Sequence, residues 1–341
     1  MTAPRSAILS CEGTALSSAE RRLFTSANPF GLILFKRNVE SAAQLIKLTS
    51  EFRSCVGRAD APVLIDQEGG RVARLSAPEW DTFPPAAAFG ALYKHDGTRG
   101  IAAAKLLGRM LAAQLRPLGI TVNCAPVLDL HRPETTQAIG DRAFSSDPRA
   151  VSVLARAVCD GMRVGGVLPV IKHMPGHGRA SADSHEELPV VNATWPELQA
   201  SDFVPFMELR DMPLAMTAHI LYPQIDPDLC ATRSPLIISQ VIRDQIGYNG
   251  LLMSDDITMK ALEGAPDVIA RDVIAAGCDV ALYCKHDVEH MTAICAAVPK
   301  LSVETQLRWQ KAQSWLSPMD LFDLRLAKAE FSNFFPHHAW S

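Results

Sequence analysis

Short apolar, β-branched runs recur along the chain at 7–10, 31–35, 62–65, 121–124, 167–171, 214–217, 251–253 and 280–283. Continuous apolar runs of this length predict strands buried on both faces, as in parallel sheets. Between them lie amphipathic stretches at 42–55, 100–118, 149–164, 234–246 and 267–276 with the period of helices. Gly119, Gly165, Gly247 and Gly277 stand just past four of these stretches, where a left-handed C-terminal cap is wanted. Strand and helix alternate through eight repeats with no break in composition, internal repeat or linker. The pattern predicts a (β/α)8 TIM-type barrel over one domain, 1–341. A doubly wound open sheet is the rival, but no G-x-G-x-x-G follows the first strand. The tail after 283 has room for the last barrel helix and a C-terminal helical extension, at 305–316 and 318–331.

Composition narrows the class. Hydrophobic residues make up 48% and charged residues 21% of 341, the balance of a folded globular protein. The 33 Lys+Arg against 37 Asp+Glu, without a like-charge block, argue against a nucleic-acid partner. No apolar run reaches membrane-spanning length, and 7–9 is too short for a secretory core, so neither a membrane partner nor export is expected. The eight cysteines include no C-x-x-C pair. They read as buried thiols of a cytoplasmic protein rather than as a disulfide framework.

In a barrel, chemistry gathers where strands end and the loops after them begin. The third strand runs into Asp66-Gln67-Glu68-Gly69-Gly70-Arg71, with Arg74 beyond. The fourth leads to Asp129 and Arg142. The fifth ends in Lys172-His173, the sixth at His219, the seventh in Ser254-Asp255-Asp256. An aspartate directly after a buried strand, as Asp255 is, stands where it can attack or stabilise developing positive charge. Asp256 points elsewhere and suits a loop-holding role. Asp183-x-His185 reads as a dyad, the carboxylate holding the imidazole as a proton donor. His173, His177 and Asp183 also suggest a metal set, but Pro175-Gly176 opposes the helix that His-x3-His ligation needs. The small, polar segment 178–187 has the composition of a mobile loop.

The blocks GLILFKRN (31–38), LIDQEGGRVARL (64–75), NCAPVLDL (123–130), IGDRAF (139–144), IKHMPGHGRASADSH (171–185), MTAHILYP (216–223) and LLMSDDITM (251–259) occur in order. In these the chain resembles the single-domain bacterial β-N-acetylglucosaminidases of glycoside hydrolase family 3. The resemblance implies a retaining enzyme that removes terminal N-acetylglucosamine from 1,6-anhydro-muropeptides during peptidoglycan recycling. It implies Asp255 as nucleophile, His185 as acid/base with Asp183 as its partner, and Asp66, Arg74, Arg142, Lys172 and His173 as sugar contacts. It implies no cofactor and no metal. An imidazole donor departs from the usual pair of carboxylates. The chain itself departs from its relatives at His131-Arg132-Pro133 and at Met174, where Phe is commoner. A phosphorylase using the same residues, a metal-dependent barrel hydrolase, and a muropeptide sensor without turnover are the competing readings. Lys172 and Arg142 could instead be ion-pair partners of Asp129 or Asp141.

Overall fold

The apolar runs become the staves of a closed barrel in the computed structural model, which describes residues 3–133, 135–317 and 321–340. Among the described residues the parallel strands are β1 (Arg5–Leu9), β2 (Pro29–Leu34), β3 (Val63–Ile65), β4 (Val122–Asn123), β5 (Leu168–Met174), β6 (Leu214–Thr217), β7 (Leu251–Asp256) and β8 (Val280–Leu282). Each pairs with its neighbours in sequence, Ile33 opposite Leu64 and Val170 opposite Leu214. The ring closes with Ala7 opposite Ala281. Parallel neighbours need a crossover, and the helical stretches between the runs supply it.

The period of two explains why these runs are apolar throughout. Ile8, Ile33, Leu64, Val170, Met253 and Val280 belong to the packed interior of the barrel. Ala7, Leu32, Val63, Ile171, Leu252 and Ala281 face outward into the helix layer. The inward parity runs from Leu64 to Asp66, from Val170 to Lys172 and from Met253 to Asp255. Those three polar side chains thus form the top layer of an otherwise apolar interior. At the opposite end, helix α10 (Val303–Trp315) plugs the barrel floor. Leu301, Trp309 and Ala312 join the interior cluster, and Trp309 meets Phe30 edge-on at 5.0 Å. Asp279 ties this plug down, accepting from Leu252 N, Thr305 Oγ1, Arg243 and Arg308.

Several local expectations need correction. The strand expected at 167–171 extends to Met174, so Lys172 and His173 lie on it rather than after it, and β7 likewise runs on through Asp255. The stretch 100–118 is helix α4 (Gly97–Leu115), capped by Asp96, followed by a 3-10 turn, Arg116–Leu118. The stretch 234–246 winds as a π-helix over Ile237–Gln245. Gly119, Gly247 and Gly277 take the left-handed conformation, but Gly165 does not. Gly166 takes it instead, with φ 75°. Gly165 ends α5 (Pro148–Val164), where an added Cβ would stand 2.2 Å from Ala112 Cβ. The last helix runs over Leu324–Phe334, and positions 318–320 of the expected 318–331 lie outside the described residues. No helix among the described residues is long and apolar enough to cross a membrane.

Candidate active site

All eight residues singled out for chemistry, Asp66, Arg74, Arg142, Lys172, His173, Asp183, His185 and Asp255, line one cavity at the C-terminal mouth of the barrel. Its volume is about 360 Å³, within the roughly 300–1,000 Å³ of small-molecule sites. Asp66 follows β3, Lys172 and His173 stand on β5, and Asp255 is next to last on β7. A short ribbon after β3, Gln67–Gly69 paired with Val72–Ala73, carries Glu68 and delivers Arg71 and Arg74 to the rim. Gln67 anchors that ribbon, its Oε1 accepting from Arg74 N and Leu75 N. Arg142 sits on a 3-10 turn, Gly140–Arg142, and the Asp183–His185 pair on the loop after β5.

The floor of the cavity is a charge network. Lys172, whose side chain is only 3% exposed, pairs through Nζ with Asp66 Oδ1 at 3.1 Å and Glu68 Oε1 at 2.7 Å. Arg142 forks onto both oxygens of Glu68 at 2.8 and 2.9 Å, and Arg74 reaches Asp66 Oδ2 at 3.0 Å. The ion pairs of Lys172 and Arg142 are thus with Asp66 and Glu68, not with Asp129 or Asp141. Asp141 pairs with Arg71 and Asp129 with His173. Burial alone would raise the carboxyls of Asp66 and Glu68. The adjoining Lys172, Arg74 and Arg142 outweigh it and hold both well below the usual carboxylate range. The same carboxylates keep Lys172 charged despite burial.

Asp255 faces this network. Its Oδ1 accepts from Asp256 N at 2.7 Å, and among the described residues nothing bonds Oδ2. Burial pushes its carboxyl up, but His173, His219, the Asp256 amide and Lys172 pull it below its ordinary value, so it stands as a carboxylate. Asp256 serves the loop, accepting from Thr258 N, Thr258 Oγ1 and Cys284 N. His173 shares its Nδ1 with Asp129 Oδ2 at 2.6 Å, which leaves Nε2 for the cavity. Asp129 also accepts from the amides of His173 and His177. His185, 65% exposed, meets Asp183 Oδ1 through Nδ1 at 2.8 Å and through its amide at 2.9 Å. These contacts lower the Asp183 carboxyl, overcoming the upward push of burial, and leave His185 Nε2 unbonded among the described residues.

Three partners escaped the sequence reading as functional groups: Glu68, Asp129 and Ser184. Glu68 and Asp129 lie inside the quoted motifs, next to singled-out residues, and a charge beside a buried strand end was the available signal. Ser184 meets His177 Nε2 at 3.3 Å. The side chains a metal would need are separately engaged, His173 by Asp129, His177 by Ser184 and Asp183 by His185. The described residues contain no cluster of three or more His, Cys, Asp or Glu side chains spaced to hold a metal ion.

With this geometry in view, the family model of the glycosyl hydrolase family 3 N terminal domain matches residues 7–315. The chain belongs to glycosyl hydrolase family 3. It is therefore a glycoside hydrolase, acting on carbohydrate. A β-hexosaminidase of Alkalilimnicola ehrlichii is 40% identical over 296 residues, covering 86% of this chain and 84% of its own. One from Bordetella avium is 37% identical over 287 residues, 82% and 81% of the two chains. Among solved structures, NagZ from Neisseria gonorrhoeae in complex with N-trifluoroacetyl-D-glucosamine superposes with a TM-score of 0.88 at 30% identity, covering 97% of this chain and 98% of that one.

Proposed function

We propose that this family 3 hydrolase is a retaining exo-β-N-acetylglucosaminidase that removes terminal N-acetylglucosamine from 1,6-anhydro-muropeptides in cytoplasmic cell-wall recycling. The observation that carries the reading is the pairing, across one cavity, of an ionised Asp255 with the exposed His185–Asp183 dyad. The β-hexosaminidase names of the relatives and the N-acetylglucosamine analogue bound to the gonococcal structure support the substrate class. Eight unpaired cysteines suit a reducing compartment.

In the first step Asp255 Oδ2 attacks the anomeric carbon while protonated His185 donates from Nε2 to the leaving oxygen, giving a glycosyl ester. In the second, neutral His185 takes a proton from water, which attacks the anomeric carbon, breaks its bond to Asp255 Oδ2 and frees the carboxylate. Asp183 orients the imidazole and stabilises its cationic form, as the carboxylate of a hydrolytic triad does. Asp66 accepts from sugar hydroxyls, and Lys172, Arg74, Arg142 and His173 donate to them. A ligand lacking those hydroxyls displaces water without replacing its hydrogen bonds to these side chains, which is the basis for rejection.

Asp255→Ala tests the reading. It is expected to abolish p-nitrophenol release from the aryl N-acetylglucosaminide, and an unchanged rate would remove the assignment. Incubation with N-acetylglucosaminyl-anhydro-muropeptides should release N-acetylglucosamine. Repeating it in phosphate and phosphate-free buffers separates hydrolysis from phosphorolysis by the product formed.

A further inference from the structure

The loop that bears Asp183 and His185 is unevenly held. Its base is clamped. Thr135 Oγ1 donates to Gly178 O at 2.5 Å, Thr136 N donates to Ala180 O, and Arg179 pairs with the buried Asp202 at 2.7 Å. Arg132, from the His131-Arg132-Pro133 departure, joins the same carboxylate at 3.1 Å. Beyond Ala180 the chain has fewer ties to the barrel, with the His185 side chain largely in solvent and that of Asp183 half-buried. Between them sits Ser184, 4% exposed, turned the opposite way. Its Oγ meets Nε2 of the buried His177, and its carbonyl accepts from Ala261 N at 3.2 Å. His177 is anchored to the barrel wall independently of the loop tip. Its amide donates to Asp129 at 2.6 Å, and its ring packs edge-on against His173 at 5.7 Å. Its Nδ1 is buried without a hydrogen-bond partner among the described residues, so Ser184 is the ring's one polar attachment. The remaining tie at the tip, Lys260 with Glu186, is exposed on both sides. An exposed pair holds a loop weakly.

We propose that the His177–Ser184 contact is a latch that sets the acid/base dyad over the cavity, with Ser184 and His177 as positioning residues. Asp183 and His185 flank Ser184 directly, so fixing one hydroxyl fixes where both neighbours project. The latch joins the loop to the wall that carries His173 and Asp129. The dyad is thereby referenced to the sugar-binding end of the barrel rather than to the helix layer. The proposal rests on the reading of His185 as proton donor.

The test compares two substrates by kcat/KM, which reports the first chemical step. A 2,4-dinitrophenyl N-acetylglucosaminide leaves without help from an acid, whereas an alkyl N-acetylglucosaminide needs the proton. Ser184→Ala is expected to shift the ratio of the two by about 10-fold against the alkyl substrate, a fraction of the roughly 100-fold or more that general acid catalysis supplies. Ser184→Thr keeps the hydroxyl and should restore the ratio. Thermal melting of each variant reports whether it folds. An unchanged ratio in Ser184→Ala, whether both rates fall together or neither falls, overturns the latch. His185→Ala is the separate control for the dyad. If it too leaves the ratio unchanged, His185 is not the donor, and the latch falls for that distinct reason.

Discussion

The buried ionisable side chains of this site carry the cost of desolvation, and burial set against partners decides which protonation state survives. His177 is the clearest case. Burial lowers its imidazole from the ordinary 6.5 to about 4, against the pull of Asp129. The folded protein keeps it neutral down to about pH 4, while the unfolded chain protonates near 6.5. In that window the unfolded state holds the extra proton, so stability that is complete above pH 6.5 drains away on acidification, by about 3 kcal/mol in all. His219, also lowered chiefly by burial, adds a slope of the same sign. Asp66, Asp129 and Asp255, all depressed, extend the loss below about pH 4. Urea midpoints from pH 7 to 4 should therefore fall steadily in the wild type and less steeply in His177→Gln; identical slopes would refute the assignment. Glu68 poses the opposite problem. Glu68→Gln leaves Lys172 and Arg142 without a shared counter-charge, and about 3 kcal/mol of stability should be lost. KM should rise with it, because Arg142 loses the fork and Lys172 the ion pair that aim them; calorimetry with steady-state kinetics checks both. The charged residues that line the cavity could be picked out of the sequence because each ends or follows a buried strand or sits in a short motif. Their pairing could not, since Glu68 and Arg142 are 74 residues apart and only the fold makes them neighbours.

Helices and strands were legible to different depths for a physical reason. Apolar periodicity reports which face is buried, so all eight barrel strands overlap their expected runs. It does not report which backbone carbonyl an amide chooses, so the π winding of 237–245 left no mark on the pattern. The paired ribbon after β3 is too short for periodicity, and the helix at Ser18–Ala27 shows chiefly in its capping box, Ser17 with Glu20. Glycine was read only as a cap, and at Gly165 that failed because close packing rather than φ demands it there. The same holds where α4 crosses α5. A Cβ on Gly108 would stand 2.0 Å from Val158 O, and one on Gly161 would stand 2.1 Å from Lys105 O. Both obstacles are backbone, so neither can swing away. Gly161→Ala should destabilise the protein by about 2 kcal/mol through forced separation of the two helices. Gly97→Ala, at the half-buried start of α4, meets only the Tyr93 ring at 3.5 Å and serves as the control, with its Tm unchanged or raised. Equal Tm values for the two variants would remove the close-packing argument.

At the scale of the molecule, a closed parallel barrel separates the end that reacts from the end that holds. The alternation of runs was enough to infer the barrel. What the tail helices do was not legible, because an amphipathic pattern does not say which end of a barrel it will cover. The structure answers it: Leu301 N donates to Pro4 O ahead of β1, and Trp309 fills the floor beneath Phe30, at the start of β2. Between that floor and the Asp66–Lys172–Asp255 layer lie the apolar side chains of the barrel interior. They transmit packing but carry no charge or hydrogen bond to the mouth. Trp309→Ala should therefore open a cavity and lose about 3–5 kcal/mol of stability. Below its lowered Tm, kcat/KM should stay within about 2-fold of wild type, since close-packed interiors relax around a void rather than shifting distant groups. Thermal melting and kinetics on the same preparation decide the matter. A variant that remains folded yet loses activity in step with stability would show that the tail helix sets the geometry of the mouth, and the division between the two ends would have to be abandoned.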